Sequence, residues 1–146
     1  MTRRLPQLLL MLTCVSALVA LTPLGAQAQG EVTITVGARG ELLARGVAAT
    51  VPVEITCGPL DVDFTDAHAE LQQAVRHQIA HGFGFNPEQP IVCDGTPHPS
   101  TFTVLADTSG PPFRKGDAVV EVFVRVGNET FCCPTGRTGF QLIKLN

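Results

Sequence analysis

The chain has 146 residues, with 10 basic and 13 acidic side chains and a formal net charge of −3. It has no long basic run, which argues against a nucleic-acid partner or an anionic membrane surface, because clustered Lys and Arg make those contacts. It also lacks Trp and Tyr, the amphipathic aromatic residues that sugar-binding surfaces usually present.

The N-terminus has the three parts of a secretory signal peptide. Arg3 and Arg4 supply the positive start, and Leu8–Leu21 is a nearly unbroken apolar run. Ala26-Gln27-Ala28 places small residues where a signal peptidase requires them. The apolar run is about 14 residues long, whereas a membrane span needs about 20. We expect cleavage after Ala28, and a secreted or extracytoplasmic protein with no membrane span after cleavage.

The remainder, residues 29–146, is the right length for one domain. Loss of Arg3 and Arg4 leaves eight basic and thirteen acidic residues, a net charge of 8 − 13 = −5. The sequence therefore predicts a single acidic domain with room for one hydrophobic core.

Strand-like alternation of β-branched and polar residues begins at once. Glu31–Val36 alternates cleanly, Gly37–Gly46 is predicted to hold a turn and a short strand, and Ala48–Cys57 alternates again. In that last segment one face would carry Val51, Val53, Ile55 and Cys57. Pro52 has no backbone N–H, so the strand should be an edge or carry a bulge at that point.

Residues 66–81 fit two structures. Asp66 is a suitable helix N-cap, and good helix formers with apolar residues every fourth position follow it. A period of two fits equally well and would put five apolar residues on one face: Ala67, Ala69, Leu71, Val75 and Ile79. We favour the strand because tertiary context overrides local propensity. The alternative is an α+β fold with a helix at 66–81.

The rest of the chain continues the strand pattern. Gly82–Pro87 is predicted to break the preceding element, and Asp94-Gly95 is a strong turn signal. The further predicted strands are Ile91–Cys93, Ser100–Ala106, Asp117–Val126 and Gly139–Leu145. About seven short strands with turns every 8–15 residues predict an all-β fold, an antiparallel sandwich.

Four cysteines lie beyond the signal peptide, and an even number in an exported chain indicates disulfides. Cys57 and Cys93 both fall on the apolar phase of their predicted strands, so we expect both to face the core and to pair. Cys132 and Cys133 are adjacent, and neighbours on a strand point to opposite faces. A vicinal disulfide, free thiols and a bond to a partner chain all remain open for this pair.

The sequence offers only weak candidates for chemistry. His77 and His81 could share a metal ion if they lay on a helix. On a strand they would stand about 13 Å apart at about 3.3 Å per residue, too far for one ion. No Ser–His–Asp or Cys–His arrangement has supporting context. We therefore predict no enzyme, no catalytic residues, no metal and no cofactor.

Two stretches, Gln78–Gly84 and Cys93–Thr96, resemble a group of small exported bacterial proteins of unknown function. Those proteins have an immunoglobulin-like sandwich and the pattern C…Q…G-x-G…C-D-G-T…F-x-x-G-x-A-x-V. The matching positions here are Cys57, Gln73 or Gln78, Gly82, Gly84, Cys93 to Thr96, Phe113, Gly116, Ala118 and Val120. The resemblance spans about residues 31–145. It implies a strand at 67–80 and a Cys57–Cys93 bridge, but no activity.

The chain also shows a fainter similarity to neocarzinostatin-type chromophore-binding proteins, which are small, acidic, exported sandwiches. Fold alone does not carry function, and the ligand-binding residues are unknown. We expect a binding or structural role, with an unknown protein or envelope component as partner. The runner-up is a small-ligand carrier, which deep apolar cavities lined by Phe83, Phe85, Phe102 or Phe113 would favour.

Overall fold

The computed structural model describes residues 31–130 and 132–146. The predicted signal peptide and its cleavage site lie outside these residues. The described chain contains nine strands and no α-helix. The strands are β1 Val32–Val36, β2 Arg39–Leu43, β3 Ala48–Cys57, β4 Phe64–Val75, β5 Gln78–Phe85, β6 His98–Ala106, β7 Gly116–Gly127, β8 Cys132–Arg137 and β9 Gln141–Leu145. A single 3₁₀ turn, Ala44–Gly46, joins β2 to β3. The predicted all-β class is confirmed.

Hydrogen bonding between the strands closes on itself. The pairing runs β2–β3–β6–β5–β4–β7–β9 and returns to β2, which makes a closed barrel of seven strands. Its pairs are antiparallel except β2 with β9, which run parallel. β1 pairs with the second half of β3, and β8 pairs with the second half of β7. The sequence predicts a sandwich of two sheets, whereas in the structure backbone hydrogen bonds join these strands into one closed barrel.

The core forms from the alternating strands that the sequence indicates. All five inward positions of β3 are buried: Ala49, Val51, Val53, Ile55 and Cys57. The inward positions of β7 are buried as well: Ala118, Val120, Val122, Val124 and Val126. Phe102 and Phe113 are the largest fully buried side chains. Because side chains alternate between the two faces of a strand, apolar residues at every second position give one buried face and one solvent-exposed face.

Residues 66–81 are extended, as predicted, but they belong to two strands. β4 and β5 form a hairpin in which Val75 pairs with Gln78. Arg76 and His77 make the two-residue turn, and Arg76 has a left-handed φ of 57°. The turn reverses the chain, and β5 therefore buries the even-numbered residues Ala80, Gly82 and Gly84. Ile79 consequently lies outside, 59% exposed.

Two other boundaries differ from the sequence prediction. Gly82–Pro87 does not break the element, because β5 continues to Phe85. The predicted strand Ile91–Cys93 is instead a loop segment, which makes one isolated bridge between Leu60 and Cys93. β8 is not predicted from the sequence, because its Pro134 and Gly136 are residues typical of turns rather than of strands.

Pro52 lies in a strand that is paired on both sides, with β6 on one side and with β1 and β2 on the other. The proline sits where β1 gives way to β2, and its carbonyl accepts a hydrogen bond from the Gly37 N–H, 2.8 Å away. The N–H and C=O of a strand residue point to the same side. The missing N–H of Pro52 therefore falls at the junction between β1 and β2, where the hydrogen bonding along that side of β3 is interrupted. The strand thus tolerates the proline although it is not an edge strand.

Candidate binding face

The outer side of the β7–β4–β5–β6 sheet carries an unusual set of residues. Outward positions of these strands alternate with the buried ones, and several are aromatic or histidine. We call this surface the aromatic–histidine face and define it by Phe123, His68, His81, Phe83, Phe85 and Leu105. The strand register sets its layout: Phe123 lies opposite His68, His68 opposite Phe85, and Phe83 opposite Leu105.

The rings of this face contact one another. His68 stacks on Phe123 with ring centroids 5.1 Å apart, and it lies 6.4 Å from Phe85. His81 meets Phe83 edge to face at 4.6 Å, and Phe83 stacks near Phe85 at 6.4 Å. Phe85 remains 74% exposed and Leu105 59%. These ring pairs hold the side chains in place while leaving much of their apolar surface in water.

Two carboxylates lie within the face, directly opposite each other in the register: Glu70 on β4 and Glu121 on β7. Arg137 of β8 binds Glu121 with two hydrogen bonds, Nε to Oε1 at 2.6 Å and Nη2 to Oε2 at 2.9 Å. This pairing lowers the pKa of the Glu121 carboxyl. Glu121 therefore stays ionised with a guanidinium beside it.

Glu70 has different partners. Its Oε1 accepts hydrogen bonds from His81 Nε2 at 2.9 Å and from Gln72 Nε2 at 2.7 Å. The bond from His81, followed by that from Gln72, lowers the pKa of the Glu70 carboxyl. An amide is neutral, and the imidazole is charged only when protonated. Within the described chain, Glu70 is thus not hydrogen-bonded to a permanent cation as Glu121 is, although Arg137 attracts it at longer range.

The structure does not bring the two histidines considered for a metal together. His77 lies exposed in the β4–β5 turn, and His81 lies on β5 against Glu70. Within residues 31–130 and 132–146, no three His, Cys, Asp or Glu side chains are grouped so that they could hold a metal ion.

The phenylalanines considered for a carrier cavity divide between two environments. Phe102 and Phe113 are fully buried in the core, whereas Phe83 and Phe85 lie outside the barrel. Three surface clefts have volumes of about 140, 290 and 390 Å³, and other residues line them. None of these three clefts is lined by any of the four rings.

The predicted Cys57–Cys93 disulfide is present, with Cα atoms 4.8 Å apart. Both residues are buried, and the bond ties the end of β3 to the loop that precedes β6. Cys133 is also disulfide-bonded, so it is not a free thiol. The side chain of Cys132 lies outside the described residues.

The Cys-Asp-Gly-Thr segment forms a turn that supports this bridge. Asp94 Oδ1 accepts hydrogen bonds from the Thr96 N–H (2.8 Å), the Thr96 hydroxyl (2.7 Å) and His98 Nε2 (2.9 Å). Gly95 adopts a positive φ of 86° and donates its N–H to the Cys57 carbonyl. The Thr96 hydroxyl and Asp94 both contact the same nitrogen of His98. Asp94, Thr96 and His98 thus hold one another in the turn beside the bridge.

We expect Asp94 to titrate with a pKa of about 2, below its ordinary 3.8, because the Thr96 hydroxyl and then His98 stabilise its carboxylate. A lowered carboxyl pKa stabilises the fold above the ordinary value, and this stabilisation is lost as the pH falls from about 4 towards 2. Carbon-detected NMR of the side-chain carboxyls measures the midpoint. In Thr96→Val the titration midpoint of Asp94 should rise, because its carboxylate loses the hydrogen bond from the Thr96 hydroxyl. Asp107, whose pKa is lowered by Ser109 instead, should not change. A wild-type Asp94 midpoint near 3.8 would contradict this assignment.

Of the two glutamines that could match the sequence pattern, Gln73 and Gln78, the one buried in the fold is Gln73. It is only 4% exposed. Its Nε2 donates to the carbonyls of Arg114 (2.7 Å) and Asp117 (3.3 Å), and its Oε1 accepts from the Arg114 N–H (2.7 Å). The side chain thus fastens the loop before β7 to β4, while Gln78 is exposed at the start of β5. Its buried polar atoms are hydrogen-bonded, as burial requires.

Sequence reasoning missed the aromatic–histidine face because Gly82-Phe83-Gly84-Phe85 was interpreted as a break. The usable signal was the alternation of small and large residues from Ala80 to Phe85, which has a period of two. Small residues on one side of a strand allow another backbone to approach closely. The large residues must then lie on the opposite side.

Among the described residues, no helix has the length and apolar character that crossing a membrane requires. Comparison of the chain with models of known protein families, with curated proteins and with solved structures finds no match in any of the three.

Proposed function

We propose that this chain is an exported, disulfide-stabilised domain of immunoglobulin-like form that binds a protein partner in the cell envelope or medium through its aromatic–histidine face. The single observation that carries the proposal is that face. A contiguous set of exposed apolar side chains, held in place by ring contacts and accompanied by charged groups, marks an interaction site more often than a chance surface.

Two features support the immunoglobulin-like form. β1, β2, β3 and β6 make one antiparallel group, and β4, β5, β7, β8 and β9 make another, with the buried side chains of both directed inward. The parallel β2–β9 pair and the short β5–β6 pair then connect the two groups at their edges.

Export is supported by the signal-peptide features of residues 1–28 and by the Cys57–Cys93 bond. Disulfides persist in oxidising compartments outside the cytoplasm and are rare inside it. The similarity to small exported bacterial proteins points in the same direction.

The binding role is tested by affinity capture from the producer's own envelope and medium, with the oxidised, exported protein as bait. Phe85→Ser removes the most exposed ring of the face and should lower capture of the specific partner at least about tenfold, since aromatic residues dominate binding energy at interfaces. Mass spectrometry identifies the captured protein, and titration of the purified pair measures the dissociation constant.

The matched control is Phe140→Ser. Phe140 is also a largely exposed phenylalanine, at 64%, but it lies between β8 and β9 rather than on the face. We expect Phe140→Ser to bind as the wild type does. Equal binding by Phe85→Ser and the wild type would show that the partner, if one is captured, uses another surface.

A further inference from the structure

We infer that the partner inserts an arginine side chain into the aromatic–histidine face, where its guanidinium binds the Glu70 carboxylate and lies against Phe83. This inference deepens the proposed function and rests on it. It concerns which chemistry the face recognises.

The first argument is the state of Glu70. Its side chain is 25% exposed, so a partner can reach it. Both hydrogen bonds that it accepts end on Oε1, and none of the hydrogen bonds recorded among the described residues uses Oε2. The second carboxylate oxygen therefore remains available to a partner, beside the partly exposed ring of Phe83.

The second argument is that the same face already holds one guanidinium. Arg137 pairs with Phe123 in the strand register and binds Glu121 through Nε and Nη2. One strand away, Glu70 pairs in the register with Phe83. Each carboxylate thus lies near a phenylalanine, but Glu70 is hydrogen-bonded to His81 and Gln72, whereas Glu121 is bound by an arginine. The planar guanidinium matches this combination better than an ammonium does, since it can bind a carboxylate with two hydrogen bonds and stack on a ring.

The third argument is charge. Glu70 and Glu121 are directly paired on the adjacent strands β4 and β7. Like charges placed directly opposite each other destabilise a sheet. Among the described residues, Arg137 is hydrogen-bonded to Glu121 alone and attracts Glu70 only at longer range. Residues 31–146 also carry eight basic and thirteen acidic side chains, so the whole domain attracts a cationic partner.

The same charges argue against a second copy of this chain as the occupant. A two-fold contact through the face would set the Glu70 and Glu121 carboxylates of one copy against those of the other. Like-charge juxtaposition of this kind costs binding energy. A basic segment of another protein meets complementary charge instead.

The test is an NMR titration of the exported, oxidised protein with N-acetyl-arginine amide as the probe. N-acetyl-citrulline amide, which has nearly the same shape without the charge, is the matched comparison. We expect the arginine probe to shift the backbone amides of Glu70, His81 and Phe83, and the citrulline probe to bind about tenfold more weakly, as expected for loss of one charge-assisted interaction.

Glu70→Gln keeps the size of the side chain and should weaken the arginine probe by a similar factor, of about ten. Glu54→Gln is the control, because Glu54 is an exposed carboxylate on β3, outside the face; this variant should bind the probe as the wild type does. Equal shifts with both probes, or shifts unchanged in Glu70→Gln, would overturn the inference.

Partner capture separates this inference from the proposed function. If capture depends on Phe85 but not on Glu70, the face binds by apolar contact alone; the proposed function stands and the arginine inference is wrong. If capture does not depend on Phe85, both are wrong. A dimer in sedimentation that Phe85→Ser dissociates would also overturn the inference, because a second copy would then occupy the face.

Discussion

The Cys57→Ala/Cys93→Ala double variant should lose about 2–5 kcal/mol of unfolding free energy, which urea denaturation of the oxidised protein measures. The bridge spans 36 positions along the chain. It anchors the part of the loop before β6 that also makes the Leu60–Cys93 bridge and the Gly95–Cys57 hydrogen bond. Without the bond, the unfolded chain gains conformational entropy and the loop loses one of its attachments.

A reducing agent supplies the control. Reduction should destabilise the wild type by at least about as much as the double substitution does, because it also opens the disulfide that includes Cys133. It should have a smaller effect on the double variant, where it can act only on the disulfide that includes Cys133. A double variant within about 0.5 kcal/mol of the oxidised wild type would show that this bridge carries no stability, contrary to the range typical of native disulfides.

Gly82→Ala and Gly84→Ala should each cost about 1–3 kcal/mol, the range for overfilling a packed site, and more when combined. A Cβ on Gly82 would fall within 2.3 Å of the Leu105 carbonyl oxygen, and one on Gly84 within 2.4 Å of the Thr103 carbonyl oxygen. The obstacle in both cases is backbone, which cannot move aside as a flexible side chain can. β6 would have to move away from β5, and the short ladder that joins them would break.

Gly139→Ala is the matched control, because a Cβ at that position meets nothing within 4 Å. Its unfolding midpoint in urea should stay close to that of the wild type. Hydrogen exchange tests the mechanism: in Gly82→Ala the Phe83 and Leu105 amides should lose protection before those of β4 and β7. Unchanged exchange at the β5–β6 pair would show that the barrel tolerates the added methyl groups.

The parts of the fold that sequence reasoning recovered are those where one residue type repeats on one face. Val51 to Cys57 and Ala118 to Val126 alternate over several positions, so their strands and buried faces could be predicted together. The Cys57–Cys93 bond could be predicted because both cysteines fall on the apolar positions of the alternating pattern. Helix propensity in residues 66–75 was misleading, since partners on both sides hold β4 extended.

The rest could not be predicted, because it depends on features with no local signature. The β4–β5 turn contains neither Gly nor Asn, and Arg76 takes a left-handed φ that such residues usually supply. The side that β5 buries could not be assigned without that turn. The rings of the candidate face were missed because the glycines at 82 and 84 were interpreted as a break. The carboxylates of the face come from β4 and β7, 51 residues apart in sequence, and only the strand register places Glu70 opposite Glu121.

The length of the Arg76–His77 turn has a consequence for how this surface could change over generations. Side chains alternate with a period of two, so a one-residue insertion or deletion at the turn would exchange the two sides of β5. Ala80, Gly82 and Gly84 would then face water, and the large rings of Phe83 and Phe85 would meet the β6 backbone at a place that now admits only hydrogen atoms. Point substitutions can alter the face one ring at a time, whereas length variation at this hairpin would remove it and the barrel closure together.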